Sequence, residues 1–332
     1  MAKHPQHLHF HESPTAFRGS SPGEVQGLIQ NPMSPIGHDL PFGRSRRPLV
    51  QVSFALISAL MVVSLWCTAN PAGADARELR VTPANEMKFN PLNPELGDKG
   101  PQVSVVFGEM NTKGAVGFLL KVPAGATPGP HIHSSDSYVV VLGGKVHNFE
   151  PGPNKGKAVG NGGVWFQPAN VAHDNYCEDG ADCMIFVYAP GGNSFIPIKD
   201  AYQNPALAPA MRVMTANEVK FAPMNPDAGN KGPIGSVLFG NMEKPGPLGL
   251  LLEVPAGRFG PGPHTHSSDL YLVGLSGRMH TFEPSQDKGK AIGVGGTWFQ
   301  PADVPHDNYC EGPGECTFFV YLPDGLDVKP VK

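Results

Sequence analysis

What most limits the folds open to this chain is that its last three-quarters is one unit written twice. The stretch from Val81, VTPANEMKFNPLNPELGDKGP, returns from Val213 as VMTANEVKFAPMNPDAGNKGP, an offset of 132 residues. PHIHSSDSYVV, with its first histidine at 131, returns as PHTHSSDLYLV with its first histidine at 264, an offset of 133. One residue has therefore been inserted after Gly257. GGVWFQPANVAHDNYC and GGTWFQPADVPHDNYC keep the later offset. Between the copies, Pro190–Ala210 has the composition of a linker. Each half spans roughly 110–120 residues, enough for one all-β core.

Composition fits that reading. Gly and Pro number 41 and 36 of 332 residues, which argues against helical bundles and coiled coils. Hydrophobic residues are 40% of the chain, too many for a disordered polymer. Short runs of Val, Ile, Leu, Phe and Tyr are cut by Gly and Pro clusters. Val103–Phe107, Val116–Val122, Tyr138–Leu142, Val146–Phe149, Val164–Gln167 and Met184–Tyr188 read as strands, with counterparts in the second half. So many short strands close most naturally as a double-sheet jelly roll. The formal net charge of −4 offers nucleic acid nothing to bind. Gly160–Gly163 lacks the Lys-Ser/Thr ending and the helix of a phosphate loop, and reads as a turn.

The N-terminus reads as an export signal over residues 44–76, preceded by a disordered extension over 1–43. Arg44, Arg46 and Arg47 precede an apolar run from Leu49 to Trp66, and Ala74-Asp75-Ala76 supplies a small-x-small cleavage site. Ser45–Val50 resembles a twin-arginine signal, so Sec and twin-arginine export both stay open. An uncleaved anchor stays open too, since the apolar run is just long enough to span. His4, His7, His9 and His11 form a short histidine-rich tract, and Met33 is an alternative start. The expected organisation is then a first domain at 77–192, a linker at 193–210 and a second domain at 211–332. The mature protein would be periplasmic or secreted, with no stable membrane insertion after cleavage. It would meet a small-molecule ligand, not nucleic acid, and oligomerisation stays open.

Histidines carry the chemistry. Of 13 in the chain, eight lie beyond residue 76, and all eight fall into repeat pairs. His131-x-His133 on extended backbone puts both rings on one face, and His173 follows 40 residues later. His264, His266 and His306 repeat the set. Three imidazoles converging inside a barrel make a metal site with open positions for water or substrate. The competing reading is a set of core histidines satisfied by hydrogen bonds. His147 and His280 follow tight turns and are either acid/base or substrate-orienting groups, or surface strand residues. Of Trp165 and Phe166, and of Trp298 and Phe299, alternation turns one of each adjacent pair inward, as core or, alternatively, as lining of a substrate pocket. Cys177 and Cys183, and Cys310 and Cys316, are spaced as cross-hairpin disulfides, which export would favour. Thiolate metal binding is the alternative, since Cys177 lies close to His173. Cys67 belongs to the signal.

At these residues the chain resembles the cupin superfamily. Gly125-x5-His131-x-His133 fits its first motif, with Gly144 near the closing glycine. Gly162-x5-Pro168-x-Asn170-x2-His173 and Gly295-x5-Pro301-x-Asp303-x2-His306 fit its second. More narrowly, it is similar to a family of exported two-cupin proteins of uncharacterised function. The resemblance implies tandem double-stranded β-helix (jelly-roll) barrels holding one divalent metal each, iron first, with zinc, manganese, nickel or copper as alternatives. The usual cupin glutamate is missing. Tyr138 and Tyr271 stand in its place and are expected to donate hydrogen bonds to substrate or bound oxygen. Asp136 and Asp269 lie close by as possible fourth ligands. Asn170 and Asp303 replace a turn glycine, which suits residues that tolerate left-handed backbone.

Three-histidine cupin sites resemble those of acetylacetone-cleaving dioxygenases. The resemblance implies a mononuclear metal oxidoreductase acting on a small enolisable or phenolic compound. A non-catalytic zinc sensor or carrier, or a zinc-dependent hydrolase or isomerase, is the alternative.

Overall fold

In a computed structural model, residues 77–198, 204, 210–227, 229–258 and 262–331 are described. The extension, the export signal, Cys67 and most of 199–209 lie outside these residues. No helix among the described residues is long and apolar enough to cross a membrane.

Each half builds one large sheet. In the first half, neighbouring strands run Val164–Gln167, Ser137–Gly143, Cys183–Ala189, Val116–Val122, Gln102–Phe107 and Asn90–Pro91. In the second they run Thr297–Gln300, Leu270–Ser276, Cys316–Leu322, Leu248–Val254, Ile234–Phe239 and Ala222–Pro223. A smaller sheet accompanies each. Val146–Phe149 pairs with Asp174–Cys177 in the first half, and Arg278–Phe282 pairs with Asp307–Glu311 in the second. These are the two jelly-roll barrels.

The outermost strand of each large sheet comes from the other half. Arg80–Thr82 pairs with Thr297–Phe299, and Arg212–Met214 pairs with Val164–Phe166. The halves thus exchange their first strands. Ion pairs fasten both arms: Lys290 to Glu86 at 2.7 Å, and Lys157 to Glu218 at 2.8 Å.

Alternation along the central strands sends side chains to two different cores. In the first half Val139, Val141, Ile185 and Val187 fill the barrel. Val140, Leu142, Phe186 and Tyr188 join a second cluster shared with Phe239, Leu251, Val273, Phe319 and Tyr321. The centre of that interface is aromatic and two-fold in pattern. Phe107 stacks on Tyr321 with ring centroids 4.7 Å apart, and Phe239 stacks on Tyr188 at 4.6 Å. Phe186 meets its counterpart Phe319 at 4.8 Å. Such pairs contribute about 0.5–1.5 kcal/mol each beyond the burial of their surface.

The cysteines form the disulfides Cys177–Cys183 and Cys310–Cys316, with Cα–Cα distances of 5.9 and 5.8 Å. Each closes a short hairpin, which by the chain-entropy argument contributes about 2–3 kcal/mol. Gly144 turns beside the first with φ of 73°, where a Cβ would lie 2.8 Å from the sulfur of Cys183.

Candidate metal centres

The backbone assembles each triad through one small antiparallel bridge. His131 N–H donates to His173 C=O at 2.9 Å, and His173 N–H donates back at 3.0 Å. His264 and His306 repeat the exchange at 2.9 Å in both directions. With His133 and His266 two residues along, three rings meet per barrel. The ligand atoms within each triad lie within 4.8 Å of one another.

The turn before the third histidine is built for this placement. Asn170 and Asp303 take left-handed backbone, with φ of 57° and 60°, as their side chains permit. Their N–H groups donate to the carbonyls of His133 and His266, both at 2.7 Å. The buried amides of Gln167 and Gln300 brace the same turn, donating to Val171 C=O at 2.9 Å and Val304 C=O at 2.8 Å.

All six rings are oriented alike. Nδ1 of His131 faces Gly129 C=O at 2.8 Å, and Nδ1 of His173 faces Val171 C=O at 3.3 Å. His264 and His306 face Gly262 and Val304 at 2.7 and 3.4 Å. His133 and His266 use the carbonyls of Ser194 and Asp327. A carbonyl only accepts, so Nδ1 carries the proton and Nε2 keeps its lone pair. This is how metal-binding histidines are held: one nitrogen fixed by a hydrogen bond, the other free to coordinate. His306 Nε2 is buried with no protein partner, which a metal would supply.

Burial keeps the rings neutral. Loss of hydration lowers all six pKa values, with His133 at about 4, His173 at about 2 and His306 at about 3. Mutual repulsion adds to this in both triads, while the backbone carbonyls oppose it. Neutral imidazole is the form that binds metal.

A strap from the end of each half completes the site. Ile196–Pro197 pairs with His131–Ile132, and Lys329–Pro330 pairs with His264–Thr265. These straps deliver the Ser194 and Asp327 carbonyls. They also place Phe195, whose ring lies 4.4 Å from His131, and its counterpart Val328. In the second half Val328, His264 and His266 line a cavity of about 750 Å³ with mostly apolar walls. The first strap falls in a stretch of linker composition, which hides it in the sequence. The signal available was the return of an apolar-x-Pro-apolar phrase, Phe195–Ile198 and Val328–Val331, 22 residues after each third histidine.

Several expected site residues go elsewhere. Tyr138 packs on Phe239 at 4.4 Å and Tyr271 on Phe107 at 4.5 Å, both in the interface between halves. Their expected role as donors beside the metal is corrected: alternation turns them away from the barrel interior that Leu270 and Leu272 line. Asp136 and Asp269 are not part of the triad clusters. Their carboxylates accept from the N–H groups of Ala169 at 2.8 Å and Ala302 at 3.0 Å, fixing the turn instead. His147 has both nitrogens engaged, with Lys155 C=O at 3.1 Å and Glu178 at 3.0 Å. His280 is held likewise by Lys288 C=O at 3.3 Å and Glu311 at 3.4 Å. Both are hairpin residues outside the triads. The hydrogen bond from His147 holds Glu178 below the ordinary carboxylate range. Trp165 and Trp298 are buried as core residues, and Trp298 also meets His306 edge-on at 5.4 Å.

Residues 80–206 match the model of a domain of unknown function, DUF4437. No curated protein sequence matches this chain. Among solved structures, a proposed dioxygenase from Nostoc punctiforme is similar, at 13% identity and a TM-score of 0.57, covering 77% of this chain and 88% of that one. A proposed glyoxylate-induced protein from Pseudomonas aeruginosa is similar at 13% identity and a TM-score of 0.51, covering 76% and 91%. A cupin-2 barrel protein from Leptotrichia buccalis gives 12% identity and a TM-score of 0.45, covering 71% and 96%. At these identities the first two likenesses speak to the fold alone, that of tandem jelly-roll barrels.

Proposed function

We propose that this chain is an exported two-barrel metalloprotein holding one divalent metal in each triad and acting as a mononuclear, dioxygenase-like oxidoreductase on a small enolisable or phenolic compound. One observation carries the metal: six neutral imidazoles, each with Nδ1 tied to a carbonyl and Nε2 free, in two clusters of three. Three ligands leave coordination positions for a substrate. A bound redox metal would supply Lewis acidity and electron transfer. The chain itself fixes the rings, keeps them unprotonated, and gives the second triad a cavity with mostly apolar walls. The oxidoreductase reading draws on the likeness to the proposed Nostoc dioxygenase, and export on the disulfides.

The test is elemental mass spectrometry on the folded, disulfide-bonded protein. Two iron, manganese, nickel or copper ions per chain is the expected result, followed by oxygen uptake with diketones or catechols. Two zinc ions would replace the redox reading with a zinc carrier or hydrolase. Absence of metal after reconstitution would overturn the proposal.

A further inference from the structure

The cavity beside the second triad is one-sided in charge. Leu250, Leu272 and Phe318 stand among its mostly apolar walls, and it reaches His264 and His266. Its described lining residues include no carboxylate, but they include Lys231. That lysine is exposed, so it stands where the cavity meets solvent. A volume of about 750 Å³ with apolar walls and few polar groups suits a small molecule.

The chain holds Lys231 at this mouth and leaves its charge uncommitted. It ends the short helical turn Gly229–Lys231. The surrounding loop is closed at its base by Met224 N–H, which donates to Pro233 C=O at 2.9 Å, and both of these residues line the cavity too. Lys231 makes no ion pair among the described residues. Lys329, on the neighbouring strap, is different: it lies 3.4 Å from Asp327 and 4.0 Å from Asp303, and is already compensated. The first half builds the same loop, with Leu92 N–H donating to Pro101 C=O at 2.8 Å. There Glu95 and Asp98 accompany Lys99. In the second copy Asn230 replaces Asp98 directly before the lysine, and the remaining acid, Asp227, is exposed and outside the cavity wall. An unpaired cation at the mouth of a low-dielectric cleft draws an anion toward it.

We propose that the second barrel takes a small, largely apolar monoanion, its carboxylate paired with the Lys231 ammonium at the mouth and its apolar body inside the barrel. An aromatic carboxylate has this chemistry. Taking such a ligand as the substrate rests on the function proposed above, while the Lys231 contact does not depend on the metal.

The test is calorimetric titration of the metal-free full chain, in which no bound ion competes for the carboxylate. The probes are 2-naphthoate and 2-acetylnaphthalene, a neutral body of similar shape. One 2-naphthoate should bind per chain, more tightly than the ketone. Lys231→Met should weaken 2-naphthoate about fivefold, the scale of one partly exposed ion pair, and leave the ketone unchanged. Lys231→Arg should keep the preference for the anion, and Lys99→Met should have no effect. If Lys231→Met fails to fold, salt reads the same contact in the wild type: about 1 M salt should weaken 2-naphthoate relative to the ketone. The proposal is overturned if 2-naphthoate does not bind, if it binds no more tightly than the ketone, if its affinity ignores Lys231→Met or salt, or if Lys99→Met weakens it equally. A chain that takes up no metal but binds 2-naphthoate through Lys231 would sink the metal reading and keep this contact. A two-metal chain indifferent to Lys231 would do the reverse.

Discussion

The two halves agree closely in their triads and their shared interface, and differ in their barrel walls. Ring centroids of His131 and His173 lie 4.2 Å apart, and those of His264 and His306 also 4.2 Å. Phe107 meets Tyr271 at 4.5 Å, and Phe239 meets Tyr138 at 4.4 Å. Yet Asn148 becomes Thr281, Phe195 becomes Val328, Ser137 becomes Leu270 and Ser194 becomes Asp327. Interface residues pack against the other half's copy of the same surface, so a change there disturbs both halves. A wall residue touches only its own barrel and is free to change. The duplication has thus kept two equivalent histidine triads while giving them different surroundings.

The largest effect should come from breaking the equivalence of the triads. His173→Ala and His306→Ala should each lower metal content from two ions per chain to one, and the double variant should hold none. Two imidazoles no longer give three fixed donors, and a buried site with a missing ligand has no protein group nearby to replace it. Elemental analysis with the disulfides intact checks this. If His306→Ala emptied both barrels, the centres would be coupled through the interface, and the comparison of independent halves would fail.

The triads were legible because their pattern is local: His-x-His on a strand, and a third histidine following a Pro-Ala turn. The facing of Tyr138 was not. Alternation says that Tyr138 and Val139 point opposite ways, but the sheet lies between a barrel interior and a partner barrel, so both faces are buried and apolar. Nothing in Tyr138-Val139-Val140-Val141 says which parity faces the histidines. The strand exchange was illegible for a related reason. Val81 and Val213 lie in copies of one motif, and Trp165 and Trp298 in copies of another, so pairing within or across halves looks alike in sequence. The cysteines were read correctly because a Cys-x5-Cys hairpin needs no long-range information. The straps were hidden by their Gly, Pro and Asn content, which describes backbone freedom and not what the backbone finally touches.

A middling effect should come from exchanging the wall residues. Thr281→Asn should stabilise the second half by about 1 kcal/mol, because it removes a buried unpaired hydroxyl and supplies Asn308 Nδ2 with the acceptor that Asn148 Oδ1 supplies to Asn175. Asn148→Thr should destabilise the first by about 1–2 kcal/mol, by orphaning Asn175. Urea unfolding of the metal-free chain reads both. Opposite signs would show that this amide contact, and not the general environment of each barrel, sets the difference. Equal signs would break that account.

The smallest effect concerns the exchanged arms, which are alike in their ion pairs and unlike in their caps. Glu218 accepts from Lys157 at 2.8 Å, and also from Thr215 N–H at 2.7 Å and Thr215 Oγ1 at 2.9 Å. Glu86 has Lys290, but Pro83 stands where Thr215 stands and offers no cap. The hydrogen bond from Lys157, with those from Thr215, holds the Glu218 pKa down at about 2. A carboxylate depressed in the folded state binds protons more weakly there than in the unfolded chain. Its contribution is therefore fully present above the ordinary glutamate value and is lost as pH falls toward 2. Glu218 is exposed, so solvent and salt keep the effect small. The stability difference between the wild type and Glu218→Gln should be measurable at pH 7, shrink below about pH 4.5, and fade in 1 M salt. Glu86→Gln should cost less at pH 7, since it loses one lysine contact and no cap. Equal losses at pH 7 would mean that Thr215 adds nothing, and that the arms are as equivalent as the triads they flank.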